Sequence, residues 1–396
     1  MKTAAFKSTD IGPIPEDWET KRFDEVYSFA AAGDLQKDFF SPFHDDDHRY
    51  AIFSNGLTNM GLYGYTSRPR YKGDSVTITG RGTLGHAEYR KDVFDAIIRL
   101  LILTPIEAID NRFVVYWINL SNPFTNESTS IPQLTVPQVA CATLPLPPLP
   151  EQRRIAAALS DADELVASLD KLIEKKKRVK EGAMHRLLSG ETRLPGFTGK
   201  WVEKRLGDFA QMEAGGTPDS SVAAYYGGTI PWVSVSDISG ADKYLKHTER
   251  CLSENGFKSS SAKWYPDNTL LFAMYASIGK CCLATRRVTS SQAILGIYNL
   301  NGVELEFLYY NFLNREAEFV TIGQTGTQSN LSKTIVKDIT VLLPPTLAEP
   351  RAIAAVLSDM DSEIAALARE RAEAERIKQG MMQELLTGKT RLVKGE

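Results

Sequence analysis

The sequence has little cysteine, no long apolar run and no excess of basic residues. Its four cysteines show no paired framework, which argues against a disulfide-stabilised secreted fold and is typical of a reducing cytoplasm. No apolar run is long enough to cross a membrane, and residues 1–7 lack the apolar core of a signal peptide. We therefore expect a cytoplasmic protein with no membrane partner. The net charge of −3 gives no overall basic signature that would by itself indicate nucleic-acid binding.

Motifs for catalysis are also missing. An adenine methyltransferase needs an Asn/Asp-Pro-Pro-aromatic loop to grip its flipped base, but Ser121-Asn122-Pro123-Phe124 lacks the second proline. A phosphate-binding P-loop precedes a helix, whereas Gly388-Lys389-Thr390 follows a predicted helix and is interpreted as its cap. We therefore predict a protein that is not an enzyme, with no catalytic residues and no cofactor.

One cluster has the residue types of a metal site. In His44-Asp45-Asp46-Asp47-His48, both histidines and Asp46 would share one side of an extended chain. The segment supplies no clear further ligand and follows the turn-like Ser41-Pro42, and ligand types alone do not fix a coordination geometry. We interpret it as a solvated acidic loop and predict no metal site; an ion held by His44, Asp46 and His48 is the alternative.

What the sequence does contain is a long internal repeat. Residues 151–194 and 349–392 align without a gap at a constant offset of 198, and 21 of their 44 residues are identical. A gapless repeat of this length indicates a duplicated structural unit. Upstream, Trp18 aligns with Trp201 and Lys21-Arg22 with Lys204-Arg205. The duplication therefore covers a whole half of the chain, although the segments in between diverge.

Each copy predicts one long helix, over residues 151–188 and 349–386. Apolar residues recur at alternating intervals of four and three, the spacing of a coiled-coil seam. Prolines at the start and glycines after the end (Gly190 and Gly388) mark the helix boundaries. Such a helix would be about 57 Å long; two core helices of one large domain are the alternative. We predict that the helices pair through Ile155, Leu159, Val166, Leu169, Ile353, Leu357, Ile364 and Leu367.

Opposite charges on the two helices indicate how they pack. The first carries the basic run 175–178 and Lys180, and the second carries Glu370, Glu373 and Glu375 at matching positions. Flanking charges of opposite sign select partner and orientation in coiled coils. We therefore expect the helices to pack on each other in antiparallel orientation. A solvated face is the alternative interpretation of the basic run.

Around the helices the pattern is β-rich. Short apolar runs bounded by glycine and turn residues, such as 75–79 and 270–274, predict strands. The expected fold class is α+β, with two β-rich globular domains joined by two long antiparallel coiled-coil helices. The boundaries are a first domain over 1–148, a central spacer helix over 149–194, a second domain over 195–343 and a C-terminal spacer helix over 344–396.

The end of the chain repeats a linker. Thr390-Arg391-Leu392 matches Thr192-Arg193-Leu194, which leads from the first helix into the second domain. The first domain begins with equivalent lead-in material and has no helix before it. We therefore expect a cyclic arrangement, with the C-terminus beside the N-terminus and the halves related by an approximate (pseudo) two-fold.

Several motifs carry a family resemblance. They are the proline-rich entry 146–152 with Arg153-Arg154-Ile155, the opening 14–18, Ile230-Pro231-Trp232-Val233 and the segment 326–332. Together with the glycine-capped helices, they resemble the specificity subunit of type I DNA restriction–modification systems, over nearly the full length and twice over. The second copy departs from the pattern, since Thr346 is inserted and Pro350 stands where Gln152 does.

The resemblance implies a function and partners. It implies two target-recognition domains that each read one half of a split sequence in double-stranded DNA. It also implies that the paired helices act as a ruler and as the docking platform for two methyltransferase (modification) subunits, which restriction/translocase subunits join. A coiled-coil scaffold that binds only proteins is the main alternative, and an enzyme with an unrecognised site is a third.

Candidate DNA contacts follow from the chemistry of the ligand. Phosphates attract Lys and Arg, and base edges in the major groove attract Arg, Lys, Asn and Gln. Each candidate could instead be an ordinary surface residue. In the first domain the candidates are Arg68, Arg70, Tyr71, Lys72, Arg81 and His86, followed by Arg90 and Lys91. In the second domain they are Lys243, Lys246, Tyr275, Ser277, Lys280, Gln324, Gln328 and Asn330.

Overall fold

The structure, a computed structural model, describes residues 5–124, 132–324 and 330–393. It divides into two compact units: unit 1 is Met1–Asp170 with Arg369–Glu396, and unit 2 is Lys171–Ala368. Each unit therefore contains one β-rich domain and one part of each long helix.

In unit 1 the strands form two main sheets. The described strands are β1 (Phe6–Thr9), β2 (Gly12–Pro15), β3 (Glu19–Arg22), β4 (Tyr27–Ala31), β5 (Phe40–Ser41), β6 (Tyr50–Phe53), β7 (Leu62–Thr66), β8 (Ser75–Thr79), β9 (Ala87–Arg90), β10 (Asp95–Ala96), β11 (Leu100–Pro105) and β12 (Thr143–Leu146). One sheet has the order β4-β11-β8-β9 and the other has the order β10-β6-β7-β5, while β3 pairs with β12. The described helices are α1 (Phe23–Val26), α2 (Asn111–Ser121), α3 (Val136–Cys141) and α4 (Leu149–Leu188), which continues into unit 2.

Unit 2 is built in a similar way. Its described strands are β13 (Val202–Arg205), β14 (Gln211–Ala214), β15 (Tyr226–Val233), β16 (Arg250–Leu252), β17 (Thr269–Ala273), β18 (Cys281–Ala284), β19 (Thr289–Ser290), β20 (Ile294–Tyr298) and β21 (Thr340–Leu343). Its described helices are α5 (Leu206–Phe209), α6 (Val235–Ser239), α7 (Glu254–Lys258), α8 (Leu305–Asn314), α9 (Glu316–Gln324), α10 (Lys333–Asp338) and α11 (Ala348–Leu385), which continues into unit 1.

The two units share a strand plan. The sheet β14-β20-β17-β18 matches β4-β11-β8-β9, and the pair β13–β21 matches β3–β12. In the second main sheet of each unit, β19 runs parallel to β15 just as β10 runs parallel to β6. The central strand β11 begins Leu-Leu-Ile-Leu and is buried there on both faces, which explains its unbroken apolar sequence. The duplicated α+β fold predicted from the repeat is confirmed.

The helix ends belong to the domain cores. Ile155 and Leu159 of α4 are fully buried in the core of unit 1, which also contains Met382 and Leu385 of α11 and Leu386 directly after that helix. In unit 2, Ile353 and Leu357 of α11 are fully buried in the equivalent core, together with Met184, Leu187 and Leu188 of α4. Each such side chain contributes about 1.5–3 kcal/mol to stability through burial. Of the other predicted pairing residues, Val166 and Leu169 are buried, and Ile364 and Leu367 are half-buried.

The helices are antiparallel within each unit. In unit 1, Asp163 pairs with Lys378 at 2.6 Å and Asp170 with Arg371 at 3.1 Å. In unit 2, Lys176 pairs with Glu363 at 2.5 Å and Lys180 pairs with Asp361. Along these pairs the residue numbers rise on α4 and fall on α11, so the predicted antiparallel orientation is confirmed.

The partners of the basic run differ from those suggested by its charge pattern. Lys176 and Lys180 pair with Glu363 and Asp361, as described above. Glu373 instead pairs with Arg376 one turn along its own helix, at 2.5 Å, and Glu375 lies near Arg371. Matching positions in the repeat are not opposite each other in an antiparallel pair, because the two helices run in opposite directions.

A glycine in the left-handed region follows the end of each long helix. Gly190 has φ +73° and Gly388 has φ +72°, values that a residue with a Cβ adopts only at a cost. The predicted caps are therefore confirmed. Among the described residues, no helix is both long enough and apolar enough to span a bilayer.

Candidate nucleic-acid interface

The hairpin β8–β9 of unit 1 carries the candidate Arg81 at its exposed tip. The amides of Gly80 and Arg81 donate to the Oδ1 atom of Asn55, at 2.9 and 3.3 Å, and hold the start of the loop. His86, at the other end of the loop, is half-buried, and its Nε2 atom lies 3.0 Å from Glu88. Arg81 is the more accessible of these two candidates.

The equivalent hairpin of unit 2, β17–β18, carries Tyr275, Ser277 and Lys280. Ala276 at the tip has φ +61°, so the loop turns through the left-handed region. The hydroxyl of Ser277 accepts a hydrogen bond of 3.1 Å from Ser239. The ammonium group of Lys280 lies 3.3 Å from Glu316 and is exposed. The tip therefore presents two hydroxyl groups and one cation.

Two further candidates lie beside this hairpin. Leu331 donates its amide to the carbonyl of Met274 at 3.0 Å, which places the adjacent Asn330 next to the tip. Gly323 packs closely on Ile278 of the hairpin loop, since a Cβ atom added to Gly323 would stand 2.8 Å from the Cδ1 atom of Ile278. The next residue, Gln324, therefore also lies beside the hairpin. The structure thus gathers Tyr275, Ser277, Lys280, Gln324 and Asn330. Gln328 lies outside the described residues.

The segment from Arg68 to Lys72 precedes β8 and therefore lies at the opposite end of that strand from Arg81. Arg68 stacks on the ring of Phe39 and Lys72 is exposed. Arg70 is held by the protein itself, since its Nε atom donates to the buried Asp95 at 2.6 Å. Tyr71 packs against Phe94, and partial burial raises its pKa.

Lys243 and Lys246 have different environments. The side chain of Lys243 is only 11% exposed, and its ammonium group donates to Glu306 at 2.7 Å and to Tyr310 at 3.3 Å. It also donates to Ser358 of α11. Lys246 is exposed, with Asp242 at 3.3 Å. The structure therefore brings Lys243 into a network on α8 and α11, whereas Lys246 faces solvent.

A polar cluster recurs where each domain meets the helices. In unit 1, Tyr116 of α2 donates to Asp163 of α4 at 2.5 Å, and Asp163 also pairs with Lys378. In unit 2, Tyr310 of α8 donates to Asp361 of α11 at 2.6 Å, and Asp361 also pairs with Lys180. Burial and the adjacent carboxylate raise the pKa of both tyrosines. Each cluster fixes the outer helix of its domain to the helix pair.

A second recurring contact closes each unit. In unit 1, Arg391 donates to Glu151 and to Asp17, and the indole N–H of Trp18 donates to Glu151 at 3.3 Å. In unit 2, Arg193 donates to Glu349, to which the indole of Trp201 also donates at 3.3 Å. We call each set of Trp, Glu and Arg a clasp. Glu151 and Glu349 are almost completely buried, and a buried carboxylate needs such partners.

The clasps and clusters were not singled out as sites by sequence reasoning, although the signal was present. Glu151 and Glu349 occupy equivalent positions of the repeat, as do Asp163 and Asp361, and Lys180 and Lys378. A coiled-coil seam requires only that the seam positions of both copies of the repeat are apolar. Identical charged residues within it therefore indicate specific polar contacts, and Trp18 and Trp201 are their aligned aromatic partners.

The segment from His44 to His48 forms a turn. Asp45 accepts from the amides of Asp47 and His48, at 2.9 and 2.7 Å, and lies 2.9 Å from the Nδ1 atom of His48. His44 instead meets the ring of Tyr65 edge-on. Across the described ranges, no group of three or more His, Cys, Asp or Glu residues is arranged to hold a metal ion.

The fold and its repeated contacts define a protein of two related modules joined by an antiparallel helix pair. Residues 15–178 and 198–376 each match the family described as "Type I restriction modification DNA specificity domain". The chain therefore belongs to the family of type I restriction–modification specificity subunits, with two copies of the specificity domain.

Individual relatives agree with this assignment. The chain is 23% identical to a putative type I restriction enzyme MjaX specificity subunit from Methanocaldococcus jannaschii, over 99% of this chain and 98% of that protein. It is 30% identical to the MjaIX specificity subunit of the same organism, but that match covers only 41% of this chain and 38% of that protein.

Solved structures share the fold. A type I restriction–modification S subunit from M. genitalium superimposes with a TM-score of 0.62 at 15% identity, over 97% of this chain and 98% of that one. An HsdS subunit from Thermoanaerobacter tengcongensis has a TM-score of 0.52 at 20% identity, covering 95% and 98% of the two chains.

Proposed function

We propose that this chain is the non-catalytic DNA-specificity subunit of a type I restriction–modification complex. Each domain reads one half of a bipartite, gapped site in double-stranded DNA. The helices α4 and α11 set the spacing of the halves and dock two methyltransferase subunits, and restriction/translocase subunits join that assembly. The observation that carries the proposal is the repetition of the clasp and of the polar cluster around two hairpins with unlike tips.

The hairpins support separate recognition by the two domains. The loop of unit 1 reads Arg-Gly-Thr-Leu-Gly-His over residues 81–86, and that of unit 2 reads Tyr-Ala-Ser-Ile-Gly-Lys over residues 275–280. The glycine that ends each turn is kept, with φ +80° at Gly85 and +89° at Gly279. The two hairpins thus share a turn conformation but present different side chains. Domains that recognise different bases need this combination, since base edges are distinguished by side-chain donors and acceptors.

The long helices support the roles of spacer and docking surface. The helix α4 has 40 residues and is therefore about 60 Å long, more than one turn of DNA at about 34–36 Å. Besides its buried seam, α4 exposes Leu165, Leu172 and Val179, which are 48%, 38% and 50% accessible. Their spacing of seven forms a second apolar stripe, suited to a helix of a partner protein.

The test is to sequence the methylated bases of the host genome with and without this chain. We expect a split, gapped motif to be methylated only when the chain is present. A pulldown with the chain as bait should recover a methyltransferase subunit.

The outcomes separate the candidate functions. If partners bind but no methylated motif depends on the chain, it is a coiled-coil scaffold that binds only proteins. A continuous motif with no gap would also contradict the proposal, because two readers on a long spacer cannot read adjacent bases.

A further inference from the structure

Arg90, at the end of β9, is a buried cation. The residue is only 5% exposed, and burial lowers the pKa of its guanidinium to about 10. The Nε atom donates to the hydroxyl of Thr77 at 2.9 Å, and Nη2 donates to the carbonyl of Met60 at 2.9 Å. The guanidinium lies 3.6 Å from the centre of the Phe53 ring. These partners orient the group, but none of them carries a negative charge.

Three other arginines, which are less buried than Arg90, do have a counter-ion. Arg391 and Arg193 pair with Glu151 and Glu349, and Arg70 pairs with Asp95. Within the described ranges, Arg90 has no carboxylate within ion-pairing distance, and the nearby Glu88 is bonded to His86. A buried charge without a counter-ion is costly, so the charge of Arg90 calls for an anion from outside the chain.

A cavity of about 530 Å³ lies next to Arg90 within unit 1. Its lining includes two more cations, Arg49 and Lys91, both exposed, against one acidic residue, Asp92. Tyr50 also lines the cavity and is 39% exposed. A site with an excess of positive charge, a desolvated guanidinium and access to solvent has the chemistry that phosphate groups require.

Met60, one of the residues that line the cavity, belongs to a strained segment. Asn59 and Met60 are consecutive non-glycine residues with φ +50° and +51°, a conformation that costs roughly 1–2 kcal/mol per residue. This conformation is what presents the Met60 carbonyl to Arg90. Strain of this kind concentrates at binding sites, where the surrounding structure maintains it.

We propose that this cavity, which Arg90 lines, binds a phosphate-class anion, and that in the working protein the anion is a backbone phosphate of the DNA read by the first domain. The source of the anion rests on the proposed function, whereas the site itself does not. A free phosphate ion has the same chemistry, so the experiment below has one arm for each source.

The first arm uses inorganic phosphate as the probe. The melting temperature of the full-length protein is measured in phosphate and in chloride at equal ionic strength. We expect phosphate to stabilise the wild type and the Arg22→Met variant, but not Arg90→Met. Arg22 is the matched control because its guanidinium is exposed and already paired with Asp24. Equal phosphate stabilisation of Arg90→Met and the wild type would overturn the site.

The second arm uses a DNA duplex of mixed sequence at several salt concentrations. Each neutralised phosphate contributes about 0.9 to the slope of log affinity against log salt. We expect Arg90→Met to lose about that much of the slope and Arg22→Met to keep it. An unchanged slope for Arg90→Met would overturn the DNA assignment. If the wild type binds phosphate but no DNA, the proposed function fails while the anion site stands.

A further variant covers the case in which Arg90→Met does not fold. Arg49 and Lys91 are exposed at the cavity, so the double variant Arg49→Met, Lys91→Met leaves the buried Arg90 and its partners unchanged. We expect it to weaken the phosphate response severalfold, and an undiminished response would contradict the proposal.

Discussion

Arg391 donates two hydrogen bonds to Glu151, at 2.8 and 2.7 Å, although 240 residues separate them in the chain. Glu151 lies in the first turn of α4, and Arg391 follows the end of α11. Arg193 makes the same contact with Glu349 in unit 2, where the order of the elements is reversed. The segment that contains Arg391 is therefore an integral part of unit 1, the unit that also contains the first domain.

The first prediction is that Arg391→Ala destabilises unit 1 strongly. Removal of the guanidinium leaves Glu151, which is 0% exposed, buried without its ion pair. Breaking one side of a buried pair costs about 3–5 kcal/mol, to be measured by urea unfolding. Arg376→Ala is the control, because Arg376 pairs with the exposed Glu373 and an exposed ion pair adds little to stability. Equal effects of the two variants would mean that the clasp is not structural.

The second prediction concerns pH. The hydrogen bond from Arg391 holds the pKa of Asp17 below its usual value. A carboxylate with a lowered pKa in the folded state stabilises the fold above its unfolded pKa of about 3.9, and this contribution is lost as the pH falls through the folded value. The stability difference between wild type and Asp17→Asn should therefore be constant near neutral pH and shrink below about pH 4. A difference that does not shrink as the pH falls below about 4 would contradict this assignment.

The third prediction separates the two apolar stripes of α4. Leu159→Ala removes a fully buried side chain and should cost about 2–5 kcal/mol of folding free energy. Leu165→Ala, on the exposed stripe, should change stability by less than about 0.5 kcal/mol but should weaken binding of the methyltransferase partner. Calorimetric unfolding of each variant measures the stability, and calorimetric titration with that partner measures the binding. If Leu165→Ala bound the partner normally, the exposed stripe would not be the docking surface.

The fourth prediction separates structural from DNA-binding lysines in unit 2. Lys243→Ala leaves Glu306, Tyr310 and Ser358 without their shared donor and should cost about 1–3 kcal/mol of stability. Lys246 is exposed, so Lys246→Ala should leave thermal unfolding unchanged and reduce DNA affinity in a salt-dependent way. Parallel melting and DNA-binding titrations test both. A stable Lys243→Ala protein with specifically weakened DNA binding would contradict the structural role.

The long-range plan of the fold was predictable because the same structural unit occurs twice in the sequence. The repeat, the four–three spacing and the glycines at residues 190 and 388 predicted the paired helices and their ends, and the structure confirms them. The topology of the sheets was not predictable, since strands such as β11 and β8 pair through contacts that no local pattern specifies.

Side-chain partners were harder to predict than elements. Lys243 and Lys246 are three residues apart in one polar segment, and nothing in that segment indicates that the first turns inward to α8 and α11. The correct partners of Lys176 depended on the antiparallel register rather than on the repeat. Arg90 resembled its basic neighbours in sequence, and only the sheet packing shows that it is buried.

The most direct test of the central claim, that each domain reads its own half of a split DNA site, is the methylated motif of a chain with an exchanged domain. Residues 13–148 would be replaced by the corresponding domain of another family member of known motif, and the methylated bases would be sequenced. We predict that one half of the motif changes to that of the donor, while the other half and the gap length are kept. A variant that folds and supports methylation but alters both halves together, or neither half, would contradict the account.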